Sequence, residues 1–132
     1  MKKQESFLKK RAREFLERAK EDFEKSRFNL SALDLEQAVQ LWLKHLIFLK
    51  TADFPKTHYL DRLMKELSMI YESKKILNFY KKHSLEFRIL EDAYLTSRYF
   101  AKEFNREEIE KLTEFVELFI KFLERQTNEK LI

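Results

Sequence analysis

The feature that most restricts the fold of this 132-residue chain is the complete absence of glycine. A chain of this length has roughly nine glycines at average usage. Hairpin turns and sheet connections rely on glycine because it adopts positive φ without steric cost. The chain is therefore predicted to be all-helical, with short loops between the helices.

Missing residue types also exclude several kinds of chemistry. Glycine-rich phosphate loops and dinucleotide fingerprints cannot be built without glycine. The chain has no cysteine, which excludes thiol nucleophiles and thiolate metal sites. Its histidines, His45, His58 and His83, are never three or four residues apart, so no helical metal site is expected. No cofactor is expected either.

Length and charge indicate one intracellular domain. Residues 1–132 are expected to form a single domain, with a core over residues 7–124 and a frayed tail at residues 125–132. The formal charge of +4 is a mild excess that does not by itself indicate nucleic-acid binding. The most apolar run, Leu46 to Leu49, is far shorter than a membrane span of about 20 residues. A cytoplasmic location without membrane contact is expected.

Apolar residues recur every three or four positions along most of the chain and predict helices. Polar residues at three helix starts, Ser31, Thr57 and Ser84, are interpreted as N-caps, and Asn105 with Glu108 as a capping box. A short helix is an option within residues 72–84. The predicted helices cover residues 8–28, 31–53, 57–70, 84–97 and 105–123.

The second predicted helix is apolar on more than one face and includes Trp42. We expect it to form the centre of a bundle or part of a subunit interface. Lys44 stands within this apolar surface. Its amine either extends to water or meets an acidic group of a partner.

The segment Pro55-Lys56-Thr57-His58 is the first candidate site. Proline fixes the loop and Thr57 caps the next helix, whose free N–H groups form an anion site. Lys56 and His58 could add donors to a phosphate. The alternative is that Thr57 only caps the helix and that His58 bonds a nearby carbonyl.

Glu91, Tyr94 and Arg98 form the second candidate site, because their spacing puts them on one helix face with Tyr99 beside them. An arginine and tyrosines in this arrangement can bind a phosphate and stack on a base. The alternative is an internal network in which Arg98 pairs with Glu91 or a loop carbonyl. Basic clusters near residues 9–13 and 74–88 could line an RNA surface, although solvated helix faces explain them as well.

Three short segments occur in the order and spacing of one known family. From about Phe7 to Leu123 the chain resembles the higher-eukaryote and prokaryote nucleotide-binding domain, HEPN. The resemblance implies an up-and-down four-helix bundle with an additional short helix, usually a homodimer. It also implies a separate minimal nucleotidyltransferase partner, as in some toxin–antitoxin pairs, and a bound nucleotide or polyanion. The segments are Gln37-Ala38-Val39 with Lys44, Pro55-Lys56-Thr57-His58, and Tyr94 with Ser97-Arg98-Tyr99.

The chain also departs from the family. Gln40 stands where an acid is usual, Tyr59 where a small polar or acidic residue is usual, and Phe100 where proline often follows. HEPN ribonucleases carry a histidine four to six positions after an arginine, and no arginine here has one. The expected function is therefore non-catalytic binding. The alternatives are a ribonuclease that uses Arg98 and His58, and a dimeric helical scaffold without a small ligand.

Overall fold

The computed structural model describes the backbone of residues 2–99 and 101–132, and the side chains of residues 7–96, 98, 99 and 101–132. Within these ranges the chain forms six α-helices and no strand, which confirms the all-α prediction. None of the described helices is both long and apolar enough to cross a membrane. The helices are α1 (Lys2–Glu24), α2 (Phe28–Thr51), α3 (Leu60–Ile70), α4 (Lys74–Lys82), α5 (Ser84–Tyr99) and α6 (Arg106–Thr127).

The turn between α1 and α2 comes earlier than the sequence predicted. α1 ends at Glu24 and α2 begins at Phe28, with Ser26 between them at a φ of 61°. The prediction that Ser31 is an N-cap is wrong. Ser31 is buried inside α2, and its Oγ donates to the backbone O of Ala19 in α1 at 2.7 Å. The hydroxyl therefore links the two helices and does not begin one.

α2 forms the centre of the bundle, as expected from its apolar faces. It contacts α1, α3, α5 and α6, and 14 of its 24 residues are buried. A helix that is covered on several sides must satisfy each of its buried polar groups internally. The polar residues buried along α2 are Ser31, Asp34, Glu36, Gln40 and His45.

Trp42 of α2 and the C-terminal segment hold each other in place. Trp42 is buried, and its Nε1 donates to the backbone O of Leu131 at 3.3 Å. Leu131 is itself buried, and the N–H groups of Leu131 and Ile132 donate to the Glu124 carboxylate at 2.7 and 3.3 Å. α6 continues to Thr127. The tail that we expected to fray thus packs against the core instead.

α4, α5 and α6 meet around a cluster of phenylalanines. The short helix considered for residues 72–84 is present as α4. Its Phe79 ring lies 4.2 Å from the ring centroid of Phe122 and 5.3 Å from that of Phe119, both in α6. Phe87 of α5 meets Phe115 of α6 edge-on at 5.2 Å. Stacked and edge-on pairs of this kind add to the stabilisation from buried area.

The absence of glycine affects how the helices end. The capping box predicted at α6 is confirmed: the N–H of Glu108 donates to Asn105 Oδ1 at 2.8 Å, and the N–H of Asn105 donates to Glu108 Oε1 at 2.9 Å. At four other positions of the described backbone the chain takes the left-handed conformation with residues that carry a Cβ, which costs roughly 1–2 kcal/mol each. These residues are Ser26, Ala52, Glu72 and Asn128.

Two buried aspartates join α1 to α2. Asp22 and Asp34 are both buried, and each pairs with an arginine. Arg18 donates to Asp34 Oδ1 through Nε at 3.1 Å and Nη2 at 2.9 Å, and Arg27 donates to Asp22 Oδ1 at 2.9 Å. The pKa of Asp34 is raised to about 7, chiefly by burial; the neighbouring Asp22 adds to the rise and Arg18 opposes it. The interaction with Asp34 lowers the pKa of Asp22. Asp34 is therefore largely protonated below about pH 7.

Replacing Ala52 with glycine is expected to stabilise the protein by about 1 kcal/mol. Ala52 closes α2 at a φ of 62°, and its N–H donates to Phe48 O at 2.8 Å. Glycine keeps that bond and removes the Cβ strain. Urea denaturation measures the change. Ala32, inside α2, has no positive φ, so an equal gain from Ala32→Gly would contradict this explanation.

The Trp42→Ala variant is expected to lose about 3–5 kcal/mol of unfolding free energy, because it empties a large volume beneath the C-terminal segment. It also leaves the Leu131 carbonyl without its indole donor. Thermal and chemical denaturation measure the loss. An unchanged melting temperature and oligomeric state would contradict the role of Trp42 in the core.

Asp34→Asn is expected to be more stable than the wild type above pH 7, by on the order of 2 kcal/mol. Because the pKa of Asp34 is raised in the fold, its contribution is fully present below about pH 4 and is lost as the pH rises towards 7. Asparagine mimics the protonated acid and does not titrate. Denaturation at several pH values should therefore give a flatter profile between about pH 4 and 7. A profile as steep as that of the wild type and of the exposed control Glu17→Gln would contradict the raised pKa of Asp34.

Candidate functional site

The segment between α2 and α3 brings His58 against the side of α5. This segment is not helical, and Pro55 lies in its middle, where it prevents the preceding residues from continuing a helix. His58 stacks on Tyr94 of α5, with the ring centroids 4.9 Å apart and the planes at 9°. The ring of Tyr59 lies 4.4 Å from that of His58. The first candidate segment therefore meets the second.

Tyr94 also holds Arg98. The Arg98 Cζ lies 4.4 Å from the ring centroid of Tyr94, and Nη1 donates to the backbone O of Tyr94 at 3.1 Å. One tyrosine thus contacts two candidate residues, His58 and Arg98, that are far apart in the sequence. Both contacts cover ring surface on which a base would have to stack.

The start of α3 differs from the predicted anion site. The N-cap position of α3 is Tyr59, so the prediction that Thr57 is the N-cap is wrong. Thr57 Oγ1 instead accepts the N–H of Tyr59 at 3.2 Å. The backbone N–H groups of Leu60 and Asp61 are bonded by the Glu91 carboxylate. Burial raises the pKa of Glu91, and the charge of Asp61 raises it further. Two of the N–H groups that we expected to meet a phosphate thus face a carboxylate of the same chain.

Glu36 of α2 is a buried carboxyl group beneath this site. Its side chain is 0% exposed and accepts hydrogen bonds from Gln37 Nε2 at 2.7 Å and from Gln40 Nε2 at 2.5 Å. Burial raises the pKa of Glu36 to about 7, while the two amides and the charge of Arg98 oppose the rise and Glu91 adds to it. Glu36 is therefore electrostatically coupled to the α5 side of the site.

The pKa of Lys44 responds both to Glu36 and to Lys56 in the loop. Lys44 is half-buried on α2, and burial lowers its pKa. The charge of Glu36 opposes that change and the charge of Lys56 adds to it. Lys56 is exposed, with its Nζ 4.4 Å from the ring centroid of Phe54. The acid whose charge affects the pKa of Lys44 is thus Glu36 of the same chain.

We call Lys56, His58 and Arg98 the cationic rim. All three side chains are exposed, and Tyr94 fixes two of them. An imidazole, an ammonium and a guanidinium group on one surface supply several donors for phosphate oxygens. Tyr99 is 73% exposed at the end of α5 and makes none of the described ring contacts. Among the described residues, no group of three His, Asp or Glu side chains could hold a metal ion.

Sequence reasoning missed Glu36. The sequence did contain a signal, because an acid four residues before Gln40 on a helix that is apolar on several faces must be buried or paired. Its neighbour Gln37 was singled out, but only as part of a motif. The coupling of Glu36 to Arg98 depends on how α2 packs against α5, which no local pattern specifies.

Comparison with known proteins agrees with this architecture. The model of the HEPN domain family matches residues 6–126, nearly the whole chain. No match was found among curated proteins or among solved structures. The family match covers all six helices in part or in full, as well as the cationic rim. The chain therefore belongs to the HEPN domain family.

Proposed function

We propose that this chain is a non-catalytic HEPN module that binds a nucleotide or another polyanion at the cationic rim. The observation that carries the proposal is the contact of both His58 and Arg98 with the single ring of Tyr94. This arrangement holds an exposed guanidinium group and an imidazole in fixed orientation, so little conformational entropy is lost when an anion binds.

Each residue of the site has a separate role in this proposal. Arg98 uses Nη1 for the Tyr94 carbonyl and offers its remaining N–H donors to a phosphate as a fork. His58 and Lys56 add donors from the loop. Tyr94 orients the rim, and Tyr99, which is exposed, offers a ring face to a base.

The other candidate residues support the rim from within the fold. Thr57 shapes the loop through its bond with the N–H of Tyr59. Glu91 fixes the start of α3 against α5. Lys44 adds positive charge beside Glu36. The negative charge of Glu36 partly offsets the positive charge of Arg98. Protonation of Glu36 removes this offset, so anion binding should strengthen as the pH falls through about 7.

The proposal extends to partners. We infer that the chain forms a homodimer and acts with a separate minimal nucleotidyltransferase in a toxin–antitoxin-like pair. The support is the resemblance of its three motif segments to prokaryotic HEPN proteins that work in this way. Co-purification of the two proteins tests this part. A tagged chain that retains no nucleotidyltransferase from its own cells would contradict it.

One observation also favours a second function, a ribonuclease. His58 and Arg98 contact the same ring, and a histidine and an arginine at one phosphate can act as a general base and a charge stabiliser. Against it, no arginine in the sequence has a histidine at the spacing of the family's ribonucleases. Binding without cleavage is the better-supported reading.

Arg98→Ala is expected to weaken binding of ATP or of a short single-stranded RNA by roughly tenfold or more, because it removes a charge-assisted, two-point contact. Fluorescence or calorimetric titration measures the affinity. Arg106→Ala is the matched control, since Arg106 is also exposed and packs on aromatic rings, but on those of Phe23 and Phe28. It should leave the affinity unchanged.

The same proteins distinguish binding from cleavage. We expect the RNA to remain intact when it is incubated with the wild type. Cleavage that disappears in both His58→Ala and Arg98→Ala would establish the ribonuclease in place of the proposed function. If Arg98→Ala binds as tightly as the wild type, the rim is not the site.

A further inference from the structure

α5 presents an apolar face to the outside of the bundle. Four large apolar side chains of this helix have at least 36% of their surface exposed. Among the described large apolar side chains of α2, only Leu30 reaches that exposure. Apolar surface of this extent on one helix is typical of an interaction site. The exposed fractions are 67% for Leu85, 36% for Ile89, 49% for Leu95 and 73% for Tyr99.

The exposed positions of this helix follow the pattern of a helix–helix contact. Residues 85, 88, 92, 95 and 99 are separated alternately by three and four positions and are all exposed. This spacing forms a single seam along an α-helix, as in helices that pack side by side. We call these five residues the α5 seam: Leu85, Arg88, Asp92, Leu95 and Tyr99.

The α5 seam is complementary to a second α5 seam that runs in the opposite direction. Leu85 and Leu95 each lie five residues from Leu90, and Arg88 and Asp92 each lie two residues from it. An antiparallel copy related by a two-fold axis near Leu90 therefore places leucine opposite leucine. It also places each arginine opposite an aspartate. A two-fold interface requires this kind of self-complementary patch.

We infer that the α5 seam packs antiparallel against the α5 seam of a second copy of this chain. The inference rests on the homodimer included in the proposed function and assigns its surface. Two leucine pairs flank two reciprocal Arg88–Asp92 pairs in this contact. The charged pairs fix the register, and the leucines supply apolar burial.

A groove beside the seam extends the contact surface. It has a volume of about 310 Å³ and lies between α5 and the beginning of α6. Leu85 and Ile89 form one wall, and Phe104, Leu112 and Phe115 form part of the lining. A single pair of helices of this length is small compared with a stable interface, which buries about 1,600 Å² in total. The groove supplies adjoining apolar surface on each copy.

The seam leaves the cationic rim accessible and shares only Tyr99, at its last position, with the proposed anion site. Glu91, Tyr94 and Arg98 occupy a different stripe of α5 from the seam. Each copy in the dimer therefore keeps its own cationic rim. Dimerisation and anion binding can then be disrupted independently, which separates this inference from the proposed function.

Charge reversal tests the contact through its predicted pairs. Arg88→Asp alone places two aspartates opposite each other, and Asp92→Arg alone places two arginines opposite each other. Each single variant should raise the dimer dissociation constant by roughly tenfold or more. The double variant Arg88→Asp/Asp92→Arg restores opposite charges and should recover the dimer. A mixture of the two single variants should form mixed dimers, because their seams are complementary to each other.

Light scattering with size-exclusion chromatography and sedimentation measure the assembly against a monomer mass of 16.3 kDa. The matched control exchanges Lys20 and Glu117, an exposed pair with Nζ and Oε2 3.7 Å apart on α1 and α6. It should leave the dimer unchanged. Leu95→Glu, an independent variant of the same seam, should also dissociate it.

Several results would overturn the inference. One is a wild type that remains monomeric at about 100 μM, a concentration at which a micromolar dimer is largely formed. Another is a dimer that persists in both single charge variants and in Leu95→Glu. A third is a double variant or a mixture that fails to recover the dimer. If Arg88→Asp loses the dimer but still binds ATP, the anion site does not depend on the seam. If Arg98→Ala stays dimeric but binds no ATP, both assignments are supported.

Discussion

The burial of α2 is the constraint on which the rest of the structure depends. Helices α1, α3, α5 and α6 all contact it, and its apolar side chains, Trp42 among them, form the middle of the core. Because 14 of its 24 residues are buried, the polar groups among them need partners inside the protein. Asp34 meets Arg18 of α1, and Glu36 meets two amides of α2 itself. These buried polar contacts thus follow from the central position of α2.

The candidate site forms where the buried helix α2 ends and the only proline of the chain follows it. Pro55 keeps the segment after α2 from continuing as a helix, and this segment places His58 against Tyr94 of α5. Tyr94 then fixes Arg98, while Glu36 lies buried below with its pKa raised by burial to about 7. A fixed cationic surface above a carboxyl group that titrates near neutral pH is a site whose net charge depends on pH. The site belongs to the junction of α2, the loop and α5, and to none of them alone.

Local patterns in the sequence predicted the helices and the features that depend on neighbouring residues. The capping box of Asn105 and Glu108 is confirmed because both partners lie within one turn. Ser31 and Thr57 are also of residue types that commonly cap helices, yet neither caps one. Ser31 bonds a carbonyl of α1, and the start of α3 is bonded by Glu91 from α5. Tertiary contacts decide these cases, and a pattern of adjacent residues cannot indicate them. The sequence also predicted that His58 and Arg98 could share a site, while their meeting at Tyr94 and the role of Glu36 required the packing of α2 against α5.

An NMR titration of isotope-labelled protein with ATP tests the central claim most directly, because it reports which side chains meet the anion. The account predicts that the largest shifts occur at the Arg98 guanidinium, the His58 ring and the backbone of residues 55–59. Signals of α1 and of the outer side of α6, such as those of Lys20 and Glu117, should remain in place. Saturable shifts centred on another surface, with Arg98 and His58 unchanged, would contradict the account.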